Sequence, residues 1–316
     1  METTMQIRLA NFNLPVWGSI RFLLFTVLLS TGVHTVSLAA CADSDSQVKQ
    51  AMQANDLDRL EKLLALLNRQ SDCSIAHLNS VENHIAHIVV TQANELVQQD
   101  RFAEAEKRLK RASTVVWNIQ VVYGEIAAHR KQWQLAAQFF NQALDLVNDP
   151  QATPKAPLPK EIKKLYQFAQ EAQQLAGGLG STISRSGKAS GMMRGSVRGV
   201  RPKKRLVPIL FEFKRTTLSK KGRKSVKKLA SYIKWRGITN VTLVGHSDSK
   251  GSYVACDRVS KKRAKVVKKY LQTLVDTKKI KIRAIGKGKR EPLQVANRWK
   301  LTPAELDTLN RRVEFK

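Results

Sequence analysis

A carboxylate and a guanidinium, Asp248 and Arg263, lie fifteen positions apart in a stretch whose pattern predicts that they meet. Asp248 belongs to a polar segment after the apolar run 241–244, and Gly251 stands where the backbone must turn sharply. Arg263 lies on the apolar side of the amphipathic helix predicted to follow, an unusual place for an arginine. Such a pair can hold a zwitterion, because the carboxylate accepts hydrogen bonds from an ammonium and the guanidinium donates two to a carboxylate. The alternative is an internal salt bridge that holds the loop to the helix.

Hydrophobic periodicity predicts the elements that would position this pair. Alternating apolar residues from Val207 to Phe213 indicate a half-buried strand. Ser219 is placed to cap a helix with one apolar face and a strongly basic outer face. The remaining predicted elements are a strand at 241–244, a helix at 259–274, a strand at 280–282, a short helix at 303–309 and a strand at 313–315. Their order, β-α-β-α-β-β, predicts an α+β domain with helices on one face of the sheet.

Four motifs in this stretch occur in the order found in a known family. They are Gly245-His-Ser-Asp-x-x-Gly-Ser, Val259-Ser-x-x-Arg-Ala-x-x-Val-x-x-Tyr-Leu, Gly286-Lys-Gly-Lys-x-Glu-Pro and Asn310-Arg-Arg-Val-Glu-Phe. They resemble the motifs of the peptidoglycan-binding OmpA-like C-terminal domain, and the resemblance covers about 207–316. It implies non-covalent binding of the peptidoglycan stem peptide at its diaminopimelate side chain.

The resemblance also implies roles for individual residues. Asp248 and Arg263 match the two positions that grip the ligand in the family, and Ser247 and Gly251 belong to the same loop motif. Cys256 stands where the family usually carries Asn. Because a thiol is a poor replacement for the two donors and one acceptor of an amide, this departure puts ligand affinity or preference in question.

Charge divides the sequence near residue 180. Residues 181–316 contain 38 Lys and Arg but 8 Asp and Glu, whereas residues 1–180 contain 17 of each kind. The net charge of +30 therefore belongs to the C-terminal part, which indicates a domain boundary and an anionic partner. Three anionic partners fit such a charge: peptidoglycan, the phosphates of lipopolysaccharide, and nucleic acid.

The N-terminal residues help to choose among these partners. Residues 1–40 combine a basic start with an uncharged, mostly apolar run from 22 to 40, which predicts an export signal peptide. Exported proteins rarely meet nucleic acid, so no nucleic-acid partner is expected. The expected location is the cell envelope, on the periplasmic side of the outer membrane.

The end of this signal, Leu38-Ala-Ala-Cys41, resembles the lipobox of bacterial lipoproteins. A lipid on Cys41 would anchor the protein in the outer membrane, since Ala42 is not the Asp that favours retention in the inner membrane. There are two alternatives. Cys41 could pair with Cys73 as a disulfide in an oxidising compartment, or residues 22–40 could stay as an uncleaved anchor.

The composition of residues 41–176 predicts an all-α domain of stacked helical hairpins. Gly and Pro are scarce, good helix formers dominate, and apolar positions recur at an offset of 31. The matching sets are Phe102, Ala105, Leu109 and Ala112 with Trp133, Ala136, Phe140 and Ala143. The pattern resembles tetratricopeptide (TPR) repeats, which implies a groove for a protein partner, whereas the alternative is a spacer. Residues 161–175 are predicted to form a solvated closing helix.

The segment 177–205 is rich in Gly, Ser and Arg. Such a composition cannot bury a core, so it predicts a flexible basic linker. The OmpA-like domain would then occupy residues 206–316.

The sequence contains no pattern that predicts catalysis, and no cofactor is expected. It has no nucleophile elbow, no phosphate-binding loop and no paired carboxylates of the glycosidase kind. His77, His84 and His87 lie near one another but lack the further ligand that a metal site needs, so no metal is expected.

The prediction is therefore a non-enzymatic envelope protein that binds peptidoglycan and tethers the envelope or a helical scaffold to the cell wall. One alternative is an interaction scaffold that acts through the repeats, with the wall domain only as an anchor. The other is a charge-driven binder of lipopolysaccharide or another polyanion.

Overall fold

The computed structural model describes residues 41–179, 182–184, 186–202, 205–207, 209–211, 215–295 and 301–316. The predicted signal peptide, the alternative anchor and the lipobox residues before Cys41 therefore lie outside the described residues. Within the described part of the chain, no helix combines the length and the apolar character needed to span a membrane.

The described residues up to 179 form seven helices, which confirms the prediction of a helical N-terminal region. Their bounds are α1 Cys41–Ala54, α2 Leu57–Leu67, α3 Ile75–Gln98, α4 Phe102–Leu109, α5 Trp117–His129, α6 Trp133–Asn148 and α7 Pro159–Ala176. Before α3 begins, Cys73 forms a disulfide with Cys41 at the start of α1, across a Cα–Cα distance of 5.2 Å.

The same turn joins α1 to α2, α3 to α4 and α5 to α6. In each turn a residue with positive φ stands two positions before the second helix: Asn55 at 51°, Asp100 at 57° and Lys131 at 60°. The amide of the next residue then donates to the carbonyl five positions back, at 2.8 to 3.0 Å. The offset of 31 found in the sequence falls on equivalent positions of the second and third turns, so these pairs are helical hairpins built alike.

Helix α7 is buried, and the prediction that residues 161–175 form a solvated closing helix is wrong. Ile162 is 1% exposed and Phe168 is 3% exposed. Helix α6 packs on α7, and so do elements of the C-terminal part of the chain. A closing helix would need a polar outer face, whereas the apolar residues of α7 point to neighbours on more than one side.

The segment 177–205 is folded, and its prediction as a flexible linker is wrong for its described residues. Apolar side chains between the glycines and serines enter the core, with Met192 and Met193 at most 1% exposed. The amide of Met192 donates to Asn141 Oδ1 at 2.8 Å, and Arg198 Nε donates to the carbonyl of Val147 at 2.7 Å, at the C-terminal end of α6. Composition alone missed this because each short turn contributes only one or two buried side chains, such as Met192 and Met193.

The C-terminal part forms the predicted β-α-β-α-β-β order, with one short helix before the last strand. The elements are β1 Arg205–Val207, α8 Lys220–Trp235, β2 Asn240–Gly245, α9 Tyr253–Gln272, β3 Lys281–Gly286, α10 Pro303–Asn310 and β4 Val313–Phe315. The sheet order is β1-β4-β2-β3; β2 and β3 are parallel, and β4 is antiparallel to both of its neighbours. Ser219 caps α8 as predicted, accepting from the amide of Gly222 at 3.0 Å.

The first strand is shorter than its alternating pattern predicted. It ends at Val207, and Phe213 lies outside the described residues. Ile209 is buried beyond the strand end. Alternation therefore identified the buried side chains better than it identified the strand length.

One continuous core joins the helical part to the sheet. It contains buried residues of α5 to α7, of the 177–205 segment, and of β1, α8, β2 and α9. A second core lies among α1 to α5. The predicted domain boundaries at 176 and 206 therefore fall within a packed region, and not at the ends of a flexible tether.

Candidate functional site

The loop between β2 and α9 is fixed at both ends. Ser252 caps α9 by accepting from the amide of Ala255 at 3.2 Å. The amide of Ser247 donates to the carbonyl of Gly288, beyond β3, at 2.9 Å. Gly251 has φ of +91°, which side chains of L residues rarely tolerate. The loop that carries Asp248 thus has a defined backbone.

Helix α9 lies directly against the sheet. A Cβ atom added to Gly245 would be 2.3 Å from the carbonyl oxygen of Ser260, and one added to Gly286 would be 2.5 Å from the amide nitrogen of Lys261. Both distances are shorter than atoms tolerate, so only glycine permits this approach. The close packing places Arg263, in the next residues of the helix, beside the loop.

Asp248 is paired with a residue that the sequence analysis did not assign. Its Oδ2 accepts from Arg311 Nη1 at 3.1 Å, and its Oδ1 accepts from the amide of Lys250 at 3.3 Å. Arg311 Nη2 also donates to Thr308 Oγ1 at 3.0 Å. Arg311 was quoted within the fourth motif, but spacing alone could not show that β4 begins beside the loop after β2.

Arg263 lies close to Asp248, but no ion pair joins the two among the described residues. Its guanidinium lies over the ring of Phe211, 5.3 Å from the centroid, and its Nε is buried without a hydrogen-bond partner in that part of the chain. Burial lowers the pKa of Arg263 below its ordinary value, Asp248 acts in the opposite direction, and Arg311 adds repulsion. The internal salt bridge weighed for Asp248 and Arg263 is therefore formed with Arg311 instead.

Ser247 and Cys256 support the loop backbone. The Ser247 hydroxyl donates to the carbonyl of Asp248 at 3.1 Å, and the Cys256 thiol donates to the carbonyl of Lys250 at 3.1 Å. The two side chains are 5% and 3% exposed. Neither side chain faces solvent, so their contribution is to hold the backbone of the loop that carries Asp248.

A buried ionic cluster beside the loop was also missed by the sequence analysis. Arg312 Nη2 lies 2.8 Å from Glu314 Oε1, and His246 Nε2 lies 3.4 Å from the same oxygen, with all three side chains inaccessible to solvent. Burial lowers the pKa of Arg312, and Glu314 opposes that shift. The amide of His246 donates to the carbonyl of Arg312 at 2.9 Å. The cluster thus fixes the start of the loop against β4, next to Arg311.

One histidine of α3, His84, has an ordinary structural contact. The ring of His84 is 3.1 Å from the carbonyl oxygen of Met52. Among the described residues, no three side chains of the kinds that hold metal ions come together.

The C-terminal part of the chain is similar to known domains. Residues 210–300 match the model of the OmpA family. A solved structure of the OmpA-like domain of FopA1 from Francisella tularensis subsp. tularensis SCHU S4 has 27% identity and a TM-score of 0.28, and the match covers 33% of this chain and 66% of that one. The chain therefore spans about two thirds of that structure. The match to the family model confirms the resemblance to the OmpA-like family for residues 210–300.

Two further solved structures are each similar over about a third of the chain. The peptidoglycan-associated lipoprotein from Burkholderia pseudomallei has 21% identity and a TM-score of 0.28, with coverage of 34% of this chain and 86% of that one. A MotB-like protein from Desulfovibrio vulgaris has 22% identity and a TM-score of 0.29, with coverage of 35% and 68%. No curated protein sequence matches the chain.

Proposed function

We propose that this protein, with its OmpA-like region at residues 210–300, binds peptidoglycan non-covalently through Asp248, Arg263 and Arg311. The ligand is the zwitterionic end of the diaminopimelate side chain in the stem peptide. Asp248 accepts hydrogen bonds from its ammonium, and the two guanidinium groups donate to its carboxylate.

The observation that supports this most is the state of Arg263. A partly buried guanidinium with an unpaired donor is costly, because it has lost water without gaining a partner. A ligand carboxylate would supply that partner beside Asp248. The 3.1 Å contact between Asp248 and Arg311 holds the carboxylate in place before the ligand arrives.

The test uses isolated peptidoglycan sacculi and the full chain. Arg263→Gln is compared with Arg258→Gln, an exposed arginine of the same helix, and Asp248→Asn with Asp276→Asn, an exposed carboxylate of the same domain. We expect the two site variants to lose most of the protein sedimenting with sacculi, while the two controls keep it. Binding that survives Asp248→Asn, or that falls equally in the controls, would show that general charge and not this site holds the wall.

The basic surface around the site adds a second, nonspecific contribution. Added salt should weaken that part by screening, whereas the contribution of the partly buried site should largely persist. Binding that disappears completely at about 0.5 M salt would instead favour the charge-driven polyanion binder.

For the envelope location, we propose export followed by pairing of Cys41 with Cys73, in the periplasm at the inner side of the outer membrane. The disulfide supports this proposal, since the sulfur of Cys41 cannot carry a lipid thioether at the same time. Mass spectrometry of the mature N-terminus tests it. A peptide of Cys41 joined to Cys73 is expected, and a diacylglyceryl adduct on Cys41 would contradict it.

For the helical part, we propose a TPR-like scaffold that binds a protein partner while the C-terminal domain binds the cell wall. The three hairpin turns of equal geometry support repeats of that kind. Its test needs the full chain, because α7 shares a core with the sheet. The Asp248→Asn variant should still bind the partner, whereas a spacer would bind no partner in either the wild-type or the variant form.

A further inference from the structure

A cleft lined by four arginines lies at the C-terminal end of α8, and none of its lining residues belongs to the proposed wall site. Its volume is about 650 Å³. Arg194 and Arg201 come from the segment that leads into β1, Arg205 is the first residue of β1, and Arg236 follows the last residue of α8. None of the described residues that line the cleft is a carboxylate.

The arginines in the cleft are positioned by contacts that leave most of their charge unneutralised. Arg194 Nε is 2.6 Å from Asp145 Oδ1, an ion pair with α6. Arg205 Nη2 donates to the carbonyls of Arg194 and Gly195 at 2.9 and 3.2 Å, which are neutral partners. The Nε of Arg205 is buried and has no hydrogen-bond partner among the described residues.

The other two arginines are exposed at the rim. Within the described residues no carboxylate contacts Arg201 or Arg236. The guanidinium of Arg236 lies 5.7 Å from the ring centroid of Trp235, whose side chain is 49% exposed. The C-terminus of a helix attracts positive charge, which accounts for Arg236 but not for three more arginines.

We infer that this arginine cleft binds a phosphate group carried by a sugar. Four guanidinium groups in one cleft repel one another, and a dianion between them removes that repulsion. The planar guanidinium donates pairs of hydrogen bonds that match phosphate oxygens, and the half-exposed indole offers an apolar face on which a sugar ring packs. The cleft volume suits a ligand of that size.

The single exposed aromatic of the cleft argues against a nucleic acid as the ligand. Grooves that bind single strands follow the backbone over several nucleotides and stack successive bases on several aromatic rings. Here Trp235 is the one exposed aromatic among the described residues that line the cleft, since Tyr232 is 2% exposed. One phosphate and one sugar match the cleft better than a strand does.

The test measures binding by calorimetry on the full chain, with glucose 1-phosphate, glucose and inorganic phosphate as probes. The double variant Arg201→Gln/Arg236→Gln removes two exposed guanidinium groups without touching buried ones, and Arg258→Gln on α9 is the matched control. We expect glucose 1-phosphate to bind at least about tenfold more weakly to the double variant and unchanged to the control. Trp235→Ala should weaken glucose 1-phosphate but leave inorganic phosphate unaffected.

Three results would overturn the inference. Glucose could bind as tightly as glucose 1-phosphate, or Arg258→Gln could weaken the binding of glucose 1-phosphate as much as the double variant does. A single-stranded oligonucleotide could also bind more tightly than glucose 1-phosphate, with the same dependence on the two arginines.

A second comparison identifies the natural source of the phosphate. Binding to lipopolysaccharide that is lost on enzymatic dephosphorylation would assign it to a phosphorylated glycolipid, whereas binding to phosphorylated glucose alone would assign a soluble sugar phosphate. Asp248→Asn should change neither result, which separates this cleft from the wall site.

Discussion

Replacing Met193 by Ala tests whether the 177–205 segment is part of the core. Met193 is fully buried and lies in the short turn Gly191–Met193 that packs on α6 and α7. Truncating a buried Met to Ala costs about 2–5 kcal/mol, since contacts are lost and a cavity is left. A residue of a flexible linker would change the free energy of unfolding by less than about 0.5 kcal/mol. The two descriptions of this segment therefore differ by a measurable amount.

Urea unfolding of the full chain, followed by tryptophan fluorescence, is the assay. We expect Met193→Ala to lower the midpoint at an unchanged slope, because stability and not the exposed area changes. Lys188→Ala is the control, since Lys188 is exposed in the same segment. An unchanged midpoint in Met193→Ala, or rapid cleavage of the folded protein by trypsin at Arg194 and Arg198, would refute the reasoning.

Three further predictions follow from single contacts. Gly124→Ala should destabilise the protein by about 1–3 kcal/mol, because its Cβ would be 2.5 Å from a ring carbon of the buried Phe140; an unchanged melting temperature would contradict this. Burial raises the pKa of Glu305, but hydrogen bonds including that from Lys131 outweigh it and leave the pKa below its ordinary value. The stability that this contact contributes is therefore complete above the ordinary pKa of Glu305 and is lost as the pH falls through the lowered pKa. Between about pH 6 and about pH 3, the melting temperature of Glu305→Gln should fall less than that of the wild-type protein. An equal fall in the two proteins would refute the assignment. Cys73→Ser should cost about 2–4 kcal/mol and abolish the effect of reductant on the melting temperature, whereas a reductant effect that persists would show that the disulfide does not form.

The OmpA-like part was the easier part to predict. Ser219 caps α8 as predicted, and apolar runs, alternation or helical spacing identified the described strands and helices of the domain, although α9 begins at Tyr253 and not at the predicted 259. Gly245 and Gly286, the first residues of the first and third motifs, permit the close approach of α9. Such signals are local, so a sequence shows them directly.

The partner of Asp248 could not be predicted in the same way. Asp248 and Arg311 are 63 positions apart, and their contact depends on β4 pairing with β2. The burial of Arg312 with Glu314 depends on the same pairing. Strand order is a global property of the sheet, and no spacing within one strand reports it.

The sequence by itself determined that the chain has a neutral helical part and a basic OmpA-like part, and that Asp248 and Arg263 lie on adjacent elements. Only the tertiary structure decided that Asp248 pairs with Arg311, that α7 and Met193 are buried, and that four arginines share one cleft. The physical reason is the range of the interactions. Periodicity and capping act within a few residues, whereas burial and ion pairing depend on which distant segment arrives at the same place.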